Sequence, residues 1–164
     1  MKRVWVGIGS NVGKRLWHLY WGYGRLLDLD EGAVASPIYE TPPWGGGRWG
    51  PYWNAVVRLR TELDAQELVS WFLTWEHEYG RLERGWDVPR RLDLDLLAME
   101  DVRIWRPTLQ VPHRYMHRRW FVLRPFCDLD PDWRHPVWGL TAEELLRWVE
   151  EREPWQKGKR VGEL

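Results

Sequence analysis

The chain has 164 residues, enough for one compact domain with a sizeable core. Lysine plus arginine and aspartate plus glutamate both number 24, so no global field exists to hold nucleic acid or an anionic membrane, and any phosphate site has to be local. The single Cys127 excludes an internal disulfide and a cysteine metal cluster, and reads as a small buried apolar residue. The opening MKRVWVGIGS carries too short an apolar run for a signal peptide, and no stretch approaches the length that spans a bilayer; a soluble, cytoplasmic protein is expected.

Val4, Val6 and Ile8 alternate with Trp5 and Gly7, which predicts a first strand ending at Gly9-Ser10-Asn11. From Lys14 to about Leu27 the period is helical, with Leu16, Leu19, Tyr20, Tyr23 and Leu27 near one face. Ala33 to Tyr39 reads as a second strand. The prolines and glycines between Thr41 and Pro51 give a long loop, a flap in the making. A third strand, Asn54 to Thr61, is followed by a capping box, Asp64 to Glu67, that opens a helix running to about Tyr79, where Gly80 stops it. Arg81 to Arg90 is an arginine-rich loop. Leu92 to Met99 is the fourth strand, and AMEDVRIW a turn into a short added one. Trp120 to Asp128 reads as a short helix, and Thr141 to Glu144 caps a last helix reaching about Arg152. Strand, helix, strand, strand, helix, strand is the ferredoxin-like α+β plan, an antiparallel sheet with helices on one face, here with extra C-terminal elements.

The strongest chemical signal is RRLDLDLL, Arg90 to Leu97. Strand side chains alternate, so Leu92, Leu94 and Leu96 share one face and Asp93 and Asp95 the other. Two neighbouring carboxylates beside an apolar core call for positive charge, and a divalent cation is the usual answer, although an exposed strand face gives the same pattern. Arg81, Arg84, Arg90 and Arg91 lie just upstream. Magnesium on carboxylates with guanidinium groups on phosphate oxygens is the equipment of phosphoryl transfer.

Neither common glycine motif holds the nucleotide. Arg15 follows Gly13-Lys14 where a P-loop needs serine or threonine, Ile8 stands at its first glycine, and Gly7 to Gly13 misses the dinucleotide spacing. Tyr52 and Asn54 share one side of an extended segment, where an asparagine amide suits the edge of a flat heterocycle. His113 and His117 have a zinc-like spacing, but Pro112 interrupts a helix there and no third ligand is evident. His113 beside Arg114, Arg118 and Arg119 reads better as a phosphate-binding surface. The 15 tryptophans, with Trp17/Trp21 and Trp71/Trp75 at i, i+4, are read mainly as core. Tryptophan stacking of single-stranded nucleic acid is the competing reading, against which the balanced charge argues.

Taken together, GIGSNVG, YETPPWG, YWNAV, WEHEYGR, RRLDLDLL and VPH…RRWFVLRPF resemble, in order and up to about Asp130, the 6-hydroxymethyl-7,8-dihydropterin pyrophosphokinase family. The resemblance implies transfer of the terminal diphosphate of ATP to the pterin hydroxymethyl group with release of AMP, in folate biosynthesis. It implies two magnesium ions on Asp93 and Asp95, and a catalytic set of Arg81, Arg90, Asp93 and Asp95. Thr41, Pro42, Trp44, Tyr52, Asn54, Trp86 and Phe121 fall on pterin positions. Glu76, Arg81, Arg84, Arg90, Leu96, His113 and Arg119 fall on nucleotide positions. A monomer acting on small molecules, without nucleic acid or membrane, is expected. Lys14, Trp44, Arg84 and Arg114 depart from the family's usual residues. An ordinary kinase on the same fold, producing ADP, is the nearest alternative enzyme.

Overall fold

The computed structural model describes residues 1–42, 50–80 and 89–164. In β1 (Lys2–Ser10) alternation sends Val4, Val6 and Ile8 into one core and Trp5 into a second, on the far side of the sheet. There follow α1 (Arg15–Leu29), β2 (Val34–Ala35), β3 (Pro37–Thr41), β4 (Tyr52–Thr61), α2 (Ala65–Glu78) and β5 (Asp93–Met99). The described strands order as β5-β1-β4-β3, each pair antiparallel, as the ferredoxin-like plan requires.

α1 and α2 cover the face of Val4, Val6 and Ile8 through Leu19, Leu26, Leu68 and Phe72. The C-terminal third adds the hairpin β6 (Ile104–Arg106) and β7 (Leu109–Val111), a 3₁₀ turn at Met116–Arg118, α3 (Trp120–Leu129) and α4 (Ala142–Arg152). Leu123, Phe126, Leu145 and Leu146 of this pair close the second core over Trp5, Val56 and Leu97. Helices therefore lie on both faces of the sheet: α1 and α2 on one, the added α3 and α4 on the other. Both predicted capping boxes form, Asp64 with Glu67 and Thr141 with Glu144.

A bulge in β5 aligns it with both cores. Trp5 pairs with Ala98 and Val6 with Leu96, so Leu97 is the extra residue and both Leu97 and Ala98 enter the second core. The second predicted strand is two pieces, because Ser36 takes the ladder position: its N–H donates to the Val56 carbonyl at 2.8 Å and its hydroxyl accepts from Val56 N–H at 2.9 Å, while Pro37 has no N–H to give.

Three sequence expectations need correction. The buried stripe of α1 is Leu19, Gly22 and Leu26, with Leu16 and Tyr20 exposed; Gly22 turns inward because Leu92 packs so closely that a Cβ there would lie 2.9 Å from it. Several described tryptophans (Trp17, Trp71, Trp105, Trp138, Trp148 and Trp155) are exposed rather than core, each on an outer helix face, a hairpin or a turn. A last strand, β8 (Lys159–Glu163), was not expected from its polar sequence; it follows a 3₁₀ turn at Pro154–Gln156 and extends the sheet beyond β3. Among the described residues no helix is long and apolar enough to cross a membrane.

Candidate active site

At one end of the α3 face β1 carries no side chain. Gly7 and Gly9 of β1 lie between Asp95 and Asp93 of β5 on one side and Val56 and Asn54 of β4 on the other. A Cβ on Gly9 would sit 2.4 Å from Asn54 Oδ1, so only glycine leaves the asparagine amide room to lie across the strand. Strand alternation and pairing thus bring Asp93 and Asp95 onto one surface with Asn54, which is far from them in sequence.

Beside them opens a cleft of about 500 Å³. Its inner wall is apolar, made of Val69, Phe72 and Leu73 from α2, Leu96 from β5 and Leu109 from β7. Its other end is charged, with Arg90, Asp93, Asp95, His113 and Arg119 converging there. Arg90 Nη1 donates to Asp93 Oδ2 at 3.1 Å. Burial lowers the Arg119 guanidinium below its ordinary range, opposed by the charges of Asp95 and Asp93, which line the same cleft. Burial raises the Asp95 carboxyl well above the usual carboxylate range, the Asp93 charge raises it further, and Arg119 opposes both.

His113 is pushed down to about 4, first by burial and then by Arg119. Its Nδ1 accepts from Tyr115 N–H at 3.2 Å, so the neutral ring carries its proton on Nε2 and is a donor. His117, the other half of the zinc-like spacing, turns instead to Trp138 and His135 in the loop before α4. Glu76 reaches the edge of β5, where Oε2 accepts from Leu94 N–H at 2.7 Å.

Of the residues predicted for the nucleotide site, Glu76, Arg90, Leu96, His113 and Arg119 share this cleft with Asp93 and Asp95. Those predicted for a heterocycle form a neighbouring group: Thr41 pairs with Tyr52 and Tyr39 with Asn54 across β3 and β4, and Pro42 follows Thr41 at the surface. Thr41 Oγ1 and Asn54 Nδ2 are buried and have no partner among the described residues. Phe121 joins the two groups, since the Arg119 guanidinium carbon lies 5.5 Å from its ring centroid. Trp44, Arg81, Arg84 and Trp86 lie outside the described residues.

Sequence reasoning missed Asn11, which the GIGSN segment presents just past β1. It is buried, its Oδ1 accepts from Arg90 N–H at 2.7 Å, and its own N–H donates to the Arg90 carbonyl at 3.0 Å. The turn after β1 therefore fixes the backbone of Arg90. The available signal was a polar residue ending an otherwise apolar strand, which a plain turn explains equally well.

Fold and cleft together define a ferredoxin-like protein that sets paired carboxylates and guanidinium groups at the mouth of an apolar slot. Sequence comparison makes the class specific. The profile of the 7,8-dihydro-6-hydroxymethylpterin-pyrophosphokinase family matches residues 5–131, and the chain belongs to that family. It is similar to proteins named 2-amino-4-hydroxy-6-hydroxymethyldihydropteridine pyrophosphokinase from Aquifex aeolicus (34% identity, 88% of this chain and 91% of the relative) and from Pseudomonas aeruginosa (35% identity, 89% and 91%). Among solved structures, the Plasmodium falciparum HPPK-DHPS wild type with pteroate shares the fold, with a TM-score of 0.73 at 13% identity. The match covers 98% of this chain but spans only 46% of that structure.

Proposed function

We infer that this chain transfers the terminal diphosphate of ATP to the hydroxymethyl group of 6-hydroxymethyl-7,8-dihydropterin, releasing AMP, as a single-domain, monomeric, cytoplasmic enzyme of folate biosynthesis. Beside family membership, one observation carries the reading. Two neighbouring carboxylates, one of them held above its usual range by burial and by the other, face Arg90, Arg119 and a neutral His113 at the end of an apolar slot.

The donor set suits magnesium. Asp93 and Asp95 offer only oxygens, and two carboxylates with substrate phosphates and water are the usual magnesium environment, whereas a dedicated protein cage needs more ligands. Among the described residues no third His, Cys, Asp or Glu completes such a cage. Two magnesium ions, held by Asp93 and Asp95, would neutralise phosphate charge and acidify the attacking hydroxyl.

The remaining work falls to the chain. The apolar wall of Val69, Phe72, Leu73, Leu96 and Leu109 receives the adenine ring, with Glu76 at its edge. Thr41 Oγ1 and Asn54 Nδ2, buried and without a partner among the described residues, gain partners from the amide edge of the pterin, with Tyr52 and Phe121 beside it. The hydroxyl oxygen bonds to the β-phosphorus as the bridging oxygen departs with AMP, and the hydroxyl proton is released to solvent. Arg90, Arg119 and the His113 Nε2–H stabilise the charge that moves onto the leaving phosphate. Pro42, Trp44, Arg81, Arg84 and Trp86 complete the proposed pterin and nucleotide contacts.

The test is the nucleotide formed when the protein is mixed with ATP, magnesium and the hydroxymethyl pterin. Pterin-dependent AMP is expected, lost with a chelator and restored by magnesium. ADP, or no turnover, overturns the reading. An Asp95→Ala variant that keeps near-normal rates overturns the metal assignment.

A further inference from the structure

The residues matched by the family profile stop at 131, yet the chain returns to the site from beyond that point. Gln156, in the 3₁₀ turn Pro154–Gln156, is buried to 3% exposure, unusual for a glutamine near a surface turn. Its amide makes two long-range bonds. Oε1 accepts from Trp120 N–H at 2.9 Å, and Nε2 donates to the Arg118 carbonyl at 3.0 Å. Trp120 N–H is the first donor of α3 and has no partner within the helix, while the Arg118 carbonyl sits at the end of the preceding 3₁₀ turn. The two groups flank one residue, Arg119.

Arg119 is held from its own backbone as well. Its N–H donates to the Met116 carbonyl at 3.3 Å, and its carbonyl accepts from Leu123 N–H at 2.9 Å. It caps α3 in an extended conformation, φ −113° and ψ 111°, and its side chain makes no capping bond. Its guanidinium lies over Tyr115 and Phe121, in the cleft that Asp93 and Asp95 also line.

The segment carrying Gln156 is itself tightly seated. Glu153 also meets Gln156 Nε2, and Glu150 of α4 accepts from Trp120 Nε1 at 2.8 Å. Two residues on, a Cβ at Gly158 would lie 1.9 Å from the Glu40 carbonyl oxygen and 2.8 Å from the Thr41 methyl, so the tail presses directly on the end of β3. From there β8 pairs with β3 through Lys159 and Arg160.

We propose that Gln156 is a positioning residue for Arg119: its amide bridges the peptide groups on either side of the arginine and so fixes where the guanidinium meets the transferred phosphates. The proposal rests on the reading of the cleft as a nucleotide site. Gln156 touches no substrate position. It acts through the backbone of residues 118 to 120, and the C-terminal segment becomes a working part of the site.

A double-mutant cycle tests this with Gln156→Met, which keeps the packing volume and removes both bridging bonds together with the contact to Glu153, and Arg119→Ala. The readouts are kcat/KM and the affinity for an ATP analogue with a methylene between the α and β phosphorus atoms, followed by tryptophan fluorescence. Loss of the bridge in the parent protein is expected to lower kcat/KM by about a hundredfold, the effect of roughly 1 Å of misplacement. In the Arg119→Ala background the same change is expected to have little further effect, with analogue affinity following the same pattern. Effects that multiply to within about twofold overturn the proposal, since independent sites are additive at that level. So does a fall in thermal stability with unchanged kinetics and affinity. Should Gln156→Met fail to fold, Gln156→Glu, which keeps the acceptor for Trp120 N–H, is put through the same cycle and judged by the same criterion. A parent protein that neither turns over nor binds the analogue defeats the nucleotide reading itself, an outcome distinct from additivity in an active parent.

Discussion

Gly9→Ala isolates the proposed pterin side of the site from the proposed nucleotide side. The added Cβ would stand 2.4 Å from Asn54 Oδ1, against an ordinary carbon-to-oxygen approach of about 3.3 Å or more. The obstruction is the end of a side chain, so the strand can stay in place while the amide shifts by about 1 Å. A displacement of that size at a positioning group lowers rate by about a hundredfold, equivalent to ~2.7 kcal/mol of transition-state stabilisation. Asn54 Nδ2 is a buried donor without a partner among the described residues, and the proposed pterin would supply one. Steady-state kinetics with the pterin varied at saturating ATP should therefore show kcat/KM for the pterin falling about a hundredfold. Affinity for a nonhydrolysable ATP analogue should stay near the parent value, because the apolar slot lies on the α2 side of β5. Unchanged pterin kinetics, or an equal loss of nucleotide affinity in a folded variant, would refute the placement of Asn54.

Asp95→Asn should abolish turnover and at the same time raise the melting temperature by a few degrees. Burial and the Asp93 charge both disfavour ionised Asp95, so its folded form opposes stability above the unfolded carboxylate range, and the amide removes that penalty. His135, buried in the loop before α4 and facing His117 and Arg103, is pushed down to about 4, mainly by burial. The unfolded chain takes up the proton first, so stability is full above about pH 6.5 and is lost by at most about 3 kcal/mol as pH falls toward 4. Urea midpoints measured across that window should fall less steeply in His135→Asn than in the parent, the remaining fall belonging to His113; parallel curves would count against the burial argument. Thr141→Ala removes the hydroxyl that accepts from Glu144 N–H at 3.1 Å, and should lower stability by about 1 kcal/mol with kcat and KM unmoved.

Local rules were enough to read several elements from the residues. Asp64 and Thr141 announce their helices because a capping side chain and its N3 partner interact within one turn. Asp93 and Asp95 announce a paired carboxylate face because strand side chains alternate with period two, whatever the strand later packs against. The ordered motifs also pointed to the family, since each motif is a short stretch whose residues stay adjacent in the chain.

Other features depend on which distant segments meet. That Leu19, Gly22 and Leu26, rather than Leu16 and Tyr20, face inward on α1 is set by where Leu92 packs, which no helical period can report. Asn11 reads as a turn residue until the fold brings the Arg90 backbone to its amide, 79 positions away. β8 has too polar a sequence to stand alone as a strand and exists because the edge of β3 offers it a ladder. Gln156 looks like one more surface glutamine in sequence; only the return of the tail buries it on both sides of Arg119. Short-range geometry is encoded in the spacing of neighbouring residues, whereas burial and long-range hydrogen bonding belong to pairs of segments and are decided when those segments pack.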